Sequence, residues 1–319
     1  MKAVLLQRPN VLELAEIPVP SINENEVLIK IKSGCICNGS DPSIFKGAHW
    51  DEFPVVFGHE AFGEIIACGK AISGFSVADM VSWWFKTGAF AEYICINPNE
   101  VAMLKIPANI CSEEMSILEL AMAASRVFIN TEIKKGSKLL IVGLGPSGLI
   151  MTQIAKSMGA VVVGWDLYES RRSKALALGA DKVFDNSREE VSALTVSDGF
   201  QADIIIDAFG DDLLEGNKTL NNAIKALKPY GQIISYGQPV NGRVIDVFEL
   251  QRKCARICGP SNDLNEIRKI SVQIIDLLIQ GKLDLKSLVS GRVPLCEVSR
   301  GLALVTEQPD KYIKILVDI

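Results

Sequence analysis

The hydrophobic and polar positions change their period along the 319-residue chain. From residue 1 to about residue 110, runs such as "VLIKIK", "EAFGEIIACG" and "FAEYICI" are short, and Gly, Pro and Asn separate them. Alternating or β-branched runs between turn residues are typical of antiparallel β-strands. This part of the chain is therefore predicted to form a β-rich domain.

A helical period begins near Ser112, where "SEEMSILELAMAASRVFI" places acids in the first turn after a capping serine. Beyond it, apolar runs such as "KLLIVG", "AVVVGWD" and "ADIIIDAFG" alternate with amphipathic segments. Apolar strands that are each followed by a helix predict a parallel sheet covered on both faces. The fold class is therefore α/β, with a doubly wound parallel-sheet domain over 125–262 and a β-rich domain formed by 1–124 and 263–319.

Composition excludes several classes of function. The chain has 48% hydrophobic and 22% charged residues and a net charge of −5, so no overall positive field attracts nucleic acid or an anionic membrane. The opening "MKAVLLQRPN" is too poor in apolar residues for a signal peptide, and glycines interrupt the longest uncharged stretch. Eight scattered cysteines argue against a disulfide framework. We expect a cytoplasmic protein without nucleic-acid or membrane partners.

A glycine-rich turn in "KLLIVGLGPSGLI" has the spacing G-x-G-x-x-G, and it follows a predicted strand and precedes a predicted helix. In such a turn the first glycine permits the sharp bend, the second lets the backbone approach a pyrophosphate, and the third lets the helix pack on the strand. The candidate cofactor-binding residues here are Gly143, Leu144, Gly145, Pro146, Ser147 and Gly148.

Asp166 ends the next predicted strand, where a carboxylate accepts hydrogen bonds from the adenosine ribose hydroxyls. A carboxylate there repels a 2′-phosphate, so the sequence favours NAD over NADP. Arg171 and Arg172 are close enough to weaken this preference, and Arg171 is a further candidate cofactor-binding residue. The alternative role for Asp166 is that of a helix N-cap.

His59 is one of only two histidines, and it stands in "PVVFGHEAFG" between a glycine and a glutamate. Considered alone, it is either a metal ligand or a strand residue whose ring is hydrogen-bonded by a backbone carbonyl.

Several motifs in order along nearly the whole chain decide how His59 is interpreted: "SGCICNGSD", "GHEAFGEI", "VADMVSWW", "GAFAEY", "ELAMAA", "GLGPSG" and "DLYESR". Together they resemble the medium-chain dehydrogenase/reductase superfamily, in particular its zinc-dependent alcohol and polyol dehydrogenases. The resemblance implies a GroES-like β domain that carries a catalytic zinc, and a Rossmann domain that carries the cofactor.

The resemblance implies that Cys37, His59 and Glu119 bind the zinc. A thiolate, an imidazole and a carboxylate are all zinc ligands, and three protein ligands leave the fourth position to a substrate oxygen. Two alternatives remain open. Cys35 is a rival to Cys37, and Glu119 would have no metal role if it lay on the solvent face of its helix.

Three neighbours of the ligands have roles implied by the resemblance. Asp41 is expected to hydrogen-bond His59 and fix its ring, and Glu60 to lie behind the metal. Ser40 matches the residue that passes the substrate's hydroxyl proton toward solvent, although it is equally well explained as a turn hydroxyl. The stretch Cys37-Asn38-Gly39-Ser40-Asp41 departs from the family spacing Cys-x-Ser/Thr-Asp by one additional residue.

Other positions limit the metal content and the shape of the site. Cys95 is the only cysteine between Trp84 and Ile110, so the lobe with four cysteines that holds a structural zinc in many relatives is expected to be absent. His49 is either a proton relay or a surface histidine. Trp83, Trp84 and Phe85 either form an apolar wall of the substrate pocket or pack inside the β domain.

The implied function is that of an NAD-dependent oxidoreductase with one catalytic Zn²⁺ per chain and no structural zinc. It transfers a hydride between NAD and a small-molecule secondary alcohol, such as a polyol, sugar alcohol or amino alcohol. The alternatives are a zinc-free NAD(P)H quinone or enone reductase and a non-catalytic dinucleotide-binding protein. The resemblance also implies a homodimer or homotetramer, with "GQIISYG" and "ARICG" as candidate edge segments of the sheet.

Overall fold

The structure is a computed structural model that describes residues 1–48, 52–84, 86–185, 199–211, 218–240 and 242–319. The chain divides into two compact units, one of Met1–Ala123 with Asp263–Ile319 and the other of Ala124–Asn262. No helix within the described ranges combines the length and the apolar character needed to cross a bilayer. His49 and Phe85 lie outside the described residues.

The secondary structure elements are numbered in chain order. The strands are β1 (Lys2–Arg8), β2 (Val11–Glu16), β3 (Val27–Cys35), β4 (Val55–Val56), β5 (Glu60–Cys68), β6 (Met80–Trp84), β7 (Tyr93–Ile96), β8 (Ala102–Lys105), β9 (Lys138–Val142), β10 (Val161–Asp166), β11 (Lys182–Asp185), β12 (Ala202–Asp207), β13 (Leu227–Ser235), β14 (Arg256–Cys258), β15 (Val289–Pro294) and β16 (Lys314–Asp318). The α-helices are α1 (Ser40–Phe45), α2 (Leu118–Ser125), α3 (Pro146–Ser157), α4 (Glu169–Ala177), α5 (Thr219–Lys225), α6 (Val247–Arg252), α7 (Leu264–Ile279) and α8 (Val298–Glu307).

The first unit is rich in β structure. Its larger sheet has the order β15-β16-β3-β5-β6-β8 with β7 also paired to β3, and a smaller sheet has the order β2-β1-β4. Successive side chains of β3 point to opposite faces, so that Val27 and Ile29 share one face and pack in a core with Ile65 and Trp83. Because Trp83 is fully buried there, it packs inside the domain rather than forming a wall of a pocket.

The described residues of the second unit form a parallel sheet with the order β11-β10-β9-β12-β13-β14. This is the doubly wound order in which the first strand, β9, lies beside the fourth, β12, and ligands bind at the carboxyl ends of strands where the order reverses. The expectation that "GQIISYG" lies at a sheet edge is wrong, because β13 is hydrogen-bonded to strands on both sides. β14, from "ARICG", does lie at the edge.

Strand β3 brings distant parts of the first unit together. Its last residue, Cys35, is paired with Glu60 at the start of β5 and with Leu316 of β16. This register places the turn after β3, the start of β5 and the start of β16 side by side. The residues predicted to bind a metal follow from this convergence.

Gly63 allows β3 and β5 to approach each other. A Cβ there would overlap the carbonyl oxygen of Lys30 and lie 2.9 Å from the Cα of Ile31. Since backbone atoms cannot rotate away, we expect Gly63→Ala to destabilise the protein by about 1–3 kcal/mol and to lower its melting temperature. Calorimetry on the purified variant measures this. Gly259→Ala is the matched control, because its Cβ would meet no atom within 4 Å; equal melting temperatures for the two variants would contradict the close approach.

Candidate active site

The turn after β3 brings a thiol, a hydroxyl and an imidazole into contact. The Ser40 hydroxyl, at the first residue of α1, lies 3.0 Å from Cys37 Sγ and 3.1 Å from His59 Nε2. One ligand-capable atom from each of Cys37, His59 and Glu60 lies within 4.8 Å of the others. Sulfur, imidazole nitrogen and carboxylate oxygen in one cluster are a donor set that suits Zn²⁺.

Gly58 sets the position of His59 at the start of β5. Its φ of +81° lies in the left-handed region, and a Cβ there would lie 2.5 Å from the Phe90 ring. Only glycine meets both conditions without strain. The glycine of "GHE" is therefore required by the backbone that presents the imidazole.

Asp41 holds both of its neighbours in place. One carboxylate oxygen lies 3.0 Å from His59 Nδ1, and the other accepts a hydrogen bond of 2.9 Å from the Cys37 backbone N–H. Burial by itself lowers the pKa of His59, but the Asp41 carboxylate raises it, and the net pKa lies well above its usual value. A carboxylate on Nδ1 fixes the ring orientation and leaves Nε2 to a metal. Asp41 makes this contact despite the additional residue after Cys37.

Glu60 forms a fully buried ion pair with Lys314. The ammonium lies 2.8 Å from each carboxylate oxygen and donates a further hydrogen bond of 2.5 Å to the carbonyl of Ile36. Burial lowers the pKa of Lys314, but Cys35 and Glu60 more than offset this, so the pKa stays above its usual value. Lys314 is not among the site residues predicted from the sequence. Its signal was a lone lysine in the otherwise apolar "YIKIL".

Cys35, the rival of Cys37, does not belong to the cluster. It is fully buried at the end of β3, and burial raises the pKa of its thiol well above the usual value. Among the described residues, the side chains that could together bind a metal are those of Cys37, His59 and Glu60. The structure therefore brings Cys37, rather than Cys35, to His59.

Glu119 lies on α2 and is only 2% exposed, so it is not on a solvent-facing side of its helix. Burial raises the pKa of its carboxyl to about 8, while His59 lowers it and Glu60 raises it. No hydrogen bond or ion pair to this carboxyl is found within the described ranges. The charges of His59 and Glu60 therefore influence the ionisation of Glu119. The role of Glu119 as a metal ligand stays a prediction.

The glycine-rich turn after β9 uses its three glycines differently. Gly143 has a φ of +96°, and a Cβ there would lie 2.9 Å from the Ala208 carbonyl, while a Cβ at Gly148 would overlap the Gly143 oxygen. A Cβ at Gly145 would meet nothing closer than Arg171 Nη1 at 3.9 Å. Two glycines are therefore required by the protein itself. Gly145, in contrast, leaves open space at the N-terminus of α3, and this space fits a pyrophosphate.

The remaining predicted residues of this turn have different surroundings. Pro146 is the first residue of α3, where its missing N–H costs no helix hydrogen bond. The Ser147 hydroxyl lies 3.4 Å from the Tyr236 hydroxyl. Leu144 donates its backbone N–H to Asp166 over 2.7 Å, so this N–H is engaged by the protein.

Asp166 is fixed at the carboxyl end of β10. Its two oxygens accept hydrogen bonds from the backbone N–H groups of Leu144 and Tyr168, at 2.7 and 2.9 Å. Arg171 Nη1 lies 3.6 Å from the carboxylate, and its guanidinium stacks 4.8 Å above the Tyr168 ring. The N-cap alternative for Asp166 is wrong, because the N-cap of α4 is Tyr168.

Comparison with known proteins identifies the family of this chain. Residues 146–274 match the family described as zinc-binding dehydrogenase, and residues 23–108 match the alcohol dehydrogenase GroES-like domain. Sorbitol dehydrogenase of Bombyx mori is 30% identical over 246 residues, which cover 65% of this chain and 70% of that protein. The chain belongs to the zinc-type medium-chain alcohol and polyol dehydrogenases. L-threonine 3-dehydrogenase of Alteromonas mediterranea is 29% identical over 301 residues, which cover 80% of this chain and 87% of that protein.

Solved structures support the fold of this dehydrogenase. The crystal structure of 2R,3R-butanediol dehydrogenase from Bacillus subtilis matches with a TM-score of 0.86 and 22% identity, over 100% of this chain and 99% of that one. The predicted fold class, the family resemblance and the prediction of an oxidoreductase are confirmed.

Removal of the Asp41 charge is expected to weaken metal binding without removing a ligand. Asp41→Asn leaves His59 buried without its carboxylate partner, so we expect the affinity for Zn²⁺ to fall about 10–100-fold. In the wild type the raised pKa of His59 means that a proton competes with the metal, so affinity rises with pH. Competition with a chromophoric chelator measures both effects.

Asp79→Asn is the matched control, because Asp79 pairs with Lys105 at the surface of the same unit. Unchanged zinc affinity in Asp41→Asn would show that Asp41 does not orient the imidazole.

Substitution of Gly145 is expected to weaken cofactor binding, whereas substitution of Gly148 is expected to destabilise the fold. The methyl group of Gly145→Ala fits the free protein, so we expect stability to stay within about 0.5 kcal/mol. The same methyl occupies the space next to the pyrophosphate, so NAD affinity is expected to fall at least about tenfold. Calorimetric titration and thermal melting measure the two quantities. Gly148→Ala is the contrasting variant and is expected to unfold at lower temperature, and wild-type NAD affinity in Gly145→Ala would contradict the assignment.

Proposed function

We propose that this dehydrogenase uses one Zn²⁺ per chain and NAD to interconvert a secondary alcohol of the polyol, sugar alcohol or amino alcohol class and its ketone. The observation that carries the proposal is the cluster of Cys37, His59 and Glu60 within 4.8 Å, with Asp41 behind the imidazole. The names of relatives, which include sorbitol, L-threonine and D-arabitol-phosphate dehydrogenases, support this substrate class.

Cys37 and His59 would hold the metal together with a buried carboxylate. A zinc ion bound there supplies Lewis-acid chemistry, because it polarises an alcohol oxygen and lowers the pKa of the hydroxyl. Thiolate and carboxylate ligands would balance the charge of the ion. The protein's own contribution is to hold the ligand atoms in place before any substrate arrives, which Asp41 does for the imidazole and for the backbone of Cys37.

Two carboxylates compete for the third ligand position. Glu60 belongs to the cluster, but both of its oxygens are already paired with Lys314. Glu119 is buried, and the raised pKa of its carboxyl shows that ionisation there is unfavourable without a cation. The family resemblance and the raised pKa of the Glu119 carboxyl support Glu119 as the third ligand, with Glu60 behind the metal. The short distances from Glu60 to Cys37 and His59 support Glu60 as the third ligand instead.

Ser40 is placed to move the proton of the substrate hydroxyl. Its oxygen lies at hydrogen-bond distance from both Cys37 Sγ and His59 Nε2, the two atoms expected to bind the metal. An alcohol oxygen that approaches these atoms therefore comes within reach of the Ser40 hydroxyl. This contact supports a relay role over that of a turn hydroxyl.

NAD is the proposed cofactor, and when bound it accepts the hydride from the alcohol carbon. The bare Cα of Gly145 admits the pyrophosphate, and the fixed carboxylate of Asp166 accepts the ribose hydroxyls and disfavours a 2′-phosphate. Arg171 is engaged by this carboxylate, which lowers its availability to a phosphate. For assembly we propose a homodimer or homotetramer, supported by the edge position of β14.

The proposal predicts one zinc per chain and NAD-dependent oxidation of sorbitol or a related polyol. Cys37→Ser should lose most of both, because the serine hydroxyl is a far weaker zinc ligand than a thiolate. Plasma mass spectrometry on protein without a histidine tag gives the metal content, and NADH absorbance gives the rate. Cys95→Ser, on β7, is the matched control. If wild-type protein binds NAD but no metal after zinc is supplied, a metal-free reductase or a dinucleotide-binding protein replaces this proposal.

The same measurements on Glu119→Gln and Glu60→Gln identify the third ligand. A carboxyl whose pKa is raised by folding makes the metal-free protein less stable as the pH rises from about 4.5 to about 8. Glu119→Gln should therefore raise the melting temperature of metal-free protein above pH 8 and lower its zinc content. Glu60→Gln leaves Lys314 without its partner and should lower the melting temperature. If Glu60→Gln alone loses zinc, Glu60 is the ligand.

A further inference from the structure

Asn38 directly follows Cys37 in the turn between β3 and α1, within the stretch that is one residue longer than the family spacing. Both polar atoms of its carboxamide, Oδ1 and Nδ2, are shielded from solvent, and neither has a hydrogen-bond partner within the described ranges. Asn38 is half-buried as a residue, but the acceptor and the donor of its carboxamide are shielded from solvent without a hydrogen-bond partner for either.

The other polar side chains of this turn already have partners. Ser40 contacts Cys37 and His59, and Asp41 contacts His59 and the backbone of Cys37. Asn38 therefore has no structural role that its hydrogen bonds explain. A buried polar group without a partner destabilises the folded chain, so it calls for an explanation, and a bound ligand is one of those that apply beside a proposed metal ligand.

We propose that Asn38 binds a second hydroxyl group of the substrate, on the carbon next to the one that is oxidised. This inference rests on the proposed function and adds the residue that recognises the substrate. Asn38 follows Cys37, one of the proposed ligands, directly in the chain, and on this placement we assign to it a group one carbon away from the reacting carbon. Asn38 is thereby a specificity residue that takes no part in bond making or breaking.

The chemistry of the carboxamide selects among the candidate substrates. A hydroxyl group both donates and accepts, so one hydroxyl or two neighbouring ones satisfy Oδ1 and Nδ2 together. An ammonium group only donates, and it leaves Nδ2 unsatisfied. A methyl group satisfies neither atom. Asn38 therefore favours a vicinal diol or longer polyol over an amino alcohol and over a simple secondary alcohol.

Three probes that differ at one substituent test this: propane-1,2-diol, 1-aminopropan-2-ol and propan-2-ol. We expect zinc-loaded wild-type enzyme to show a kcat/KM for the diol that exceeds that for propan-2-ol by about 10–100-fold. Asn38→Leu, of similar volume, should remove most of this preference by lowering the value for the diol. Its value for propan-2-ol should stay within about threefold of wild type.

Two readouts do not depend on turnover. Zinc content should be unchanged in Asn38→Leu, and its melting temperature should rise by a few degrees, about the effect expected when an unpaired buried polar group is replaced by an apolar one. Asn99→Leu is the matched control, because Asn99 is exposed in the loop after β7. A lower melting temperature in Asn38→Leu with equal losses for all three probes would assign Asn38 a structural role and overturn the inference.

Asn38→Asp is a second variant with an outcome that misfolding cannot imitate. A carboxylate only accepts, so the ratio of kcat/KM for 1-aminopropan-2-ol to that for propane-1,2-diol should rise at least about tenfold. If wild-type enzyme oxidises sorbitol with NAD but shows no preference among the three probes, the inference fails while the proposed function stands. If zinc-loaded wild type oxidises no alcohol, the proposed function fails and the inference with it.

Discussion

The compensation of buried charge beside the end of β3 is the constraint on which the rest of the first unit depends. Lys314, Glu60, His59 and Asp41 are all buried, and each would be costly alone in an apolar interior. They are arranged as two pairs, with Glu60 against Lys314 and His59 against Asp41. The pairs hold the imidazole of His59 and the carboxylate of Glu60 in place, and both belong to the cluster with Cys37.

The pairing of β3 makes this arrangement possible. Glu60 and Lys314 are 254 residues apart, and they meet because β5 and β16 flank β3 at the same register. Gly58 and Gly63 serve the same register, since the first orients the backbone before His59 and the second lets β5 approach β3. A metal site built on paired strands is held more firmly than one built on loops alone.

The turn after β3 combines two demands. Cys37, Ser40 and Asp41 form a connected set of hydrogen bonds that holds the proposed metal ligands. Asn38 stands within the same turn and takes no part in that set. Stability accounts for the first three side chains and does not account for the fourth. This contrast is the reason to seek the role of Asn38 in the substrate rather than in the fold.

The sequence by itself determined the fold class, the family and the glycine turn, and it offered His59 and either Cys35 or Cys37 as candidate ligands. These features follow from local sequence patterns. Alternating apolar residues predict strands, and the spacing of the glycines predicts the turn, where the backbone at Gly143 and Gly148 leaves no room for a side chain. Only the tertiary structure separated Cys35 from Cys37, removed "GQIISYG" from the sheet edge, and revealed Lys314 as the partner of Glu60. It also brought Glu60 into competition with Glu119. These outcomes depend on strand register and burial, which bring together residues far apart in the chain and leave no local mark on the sequence.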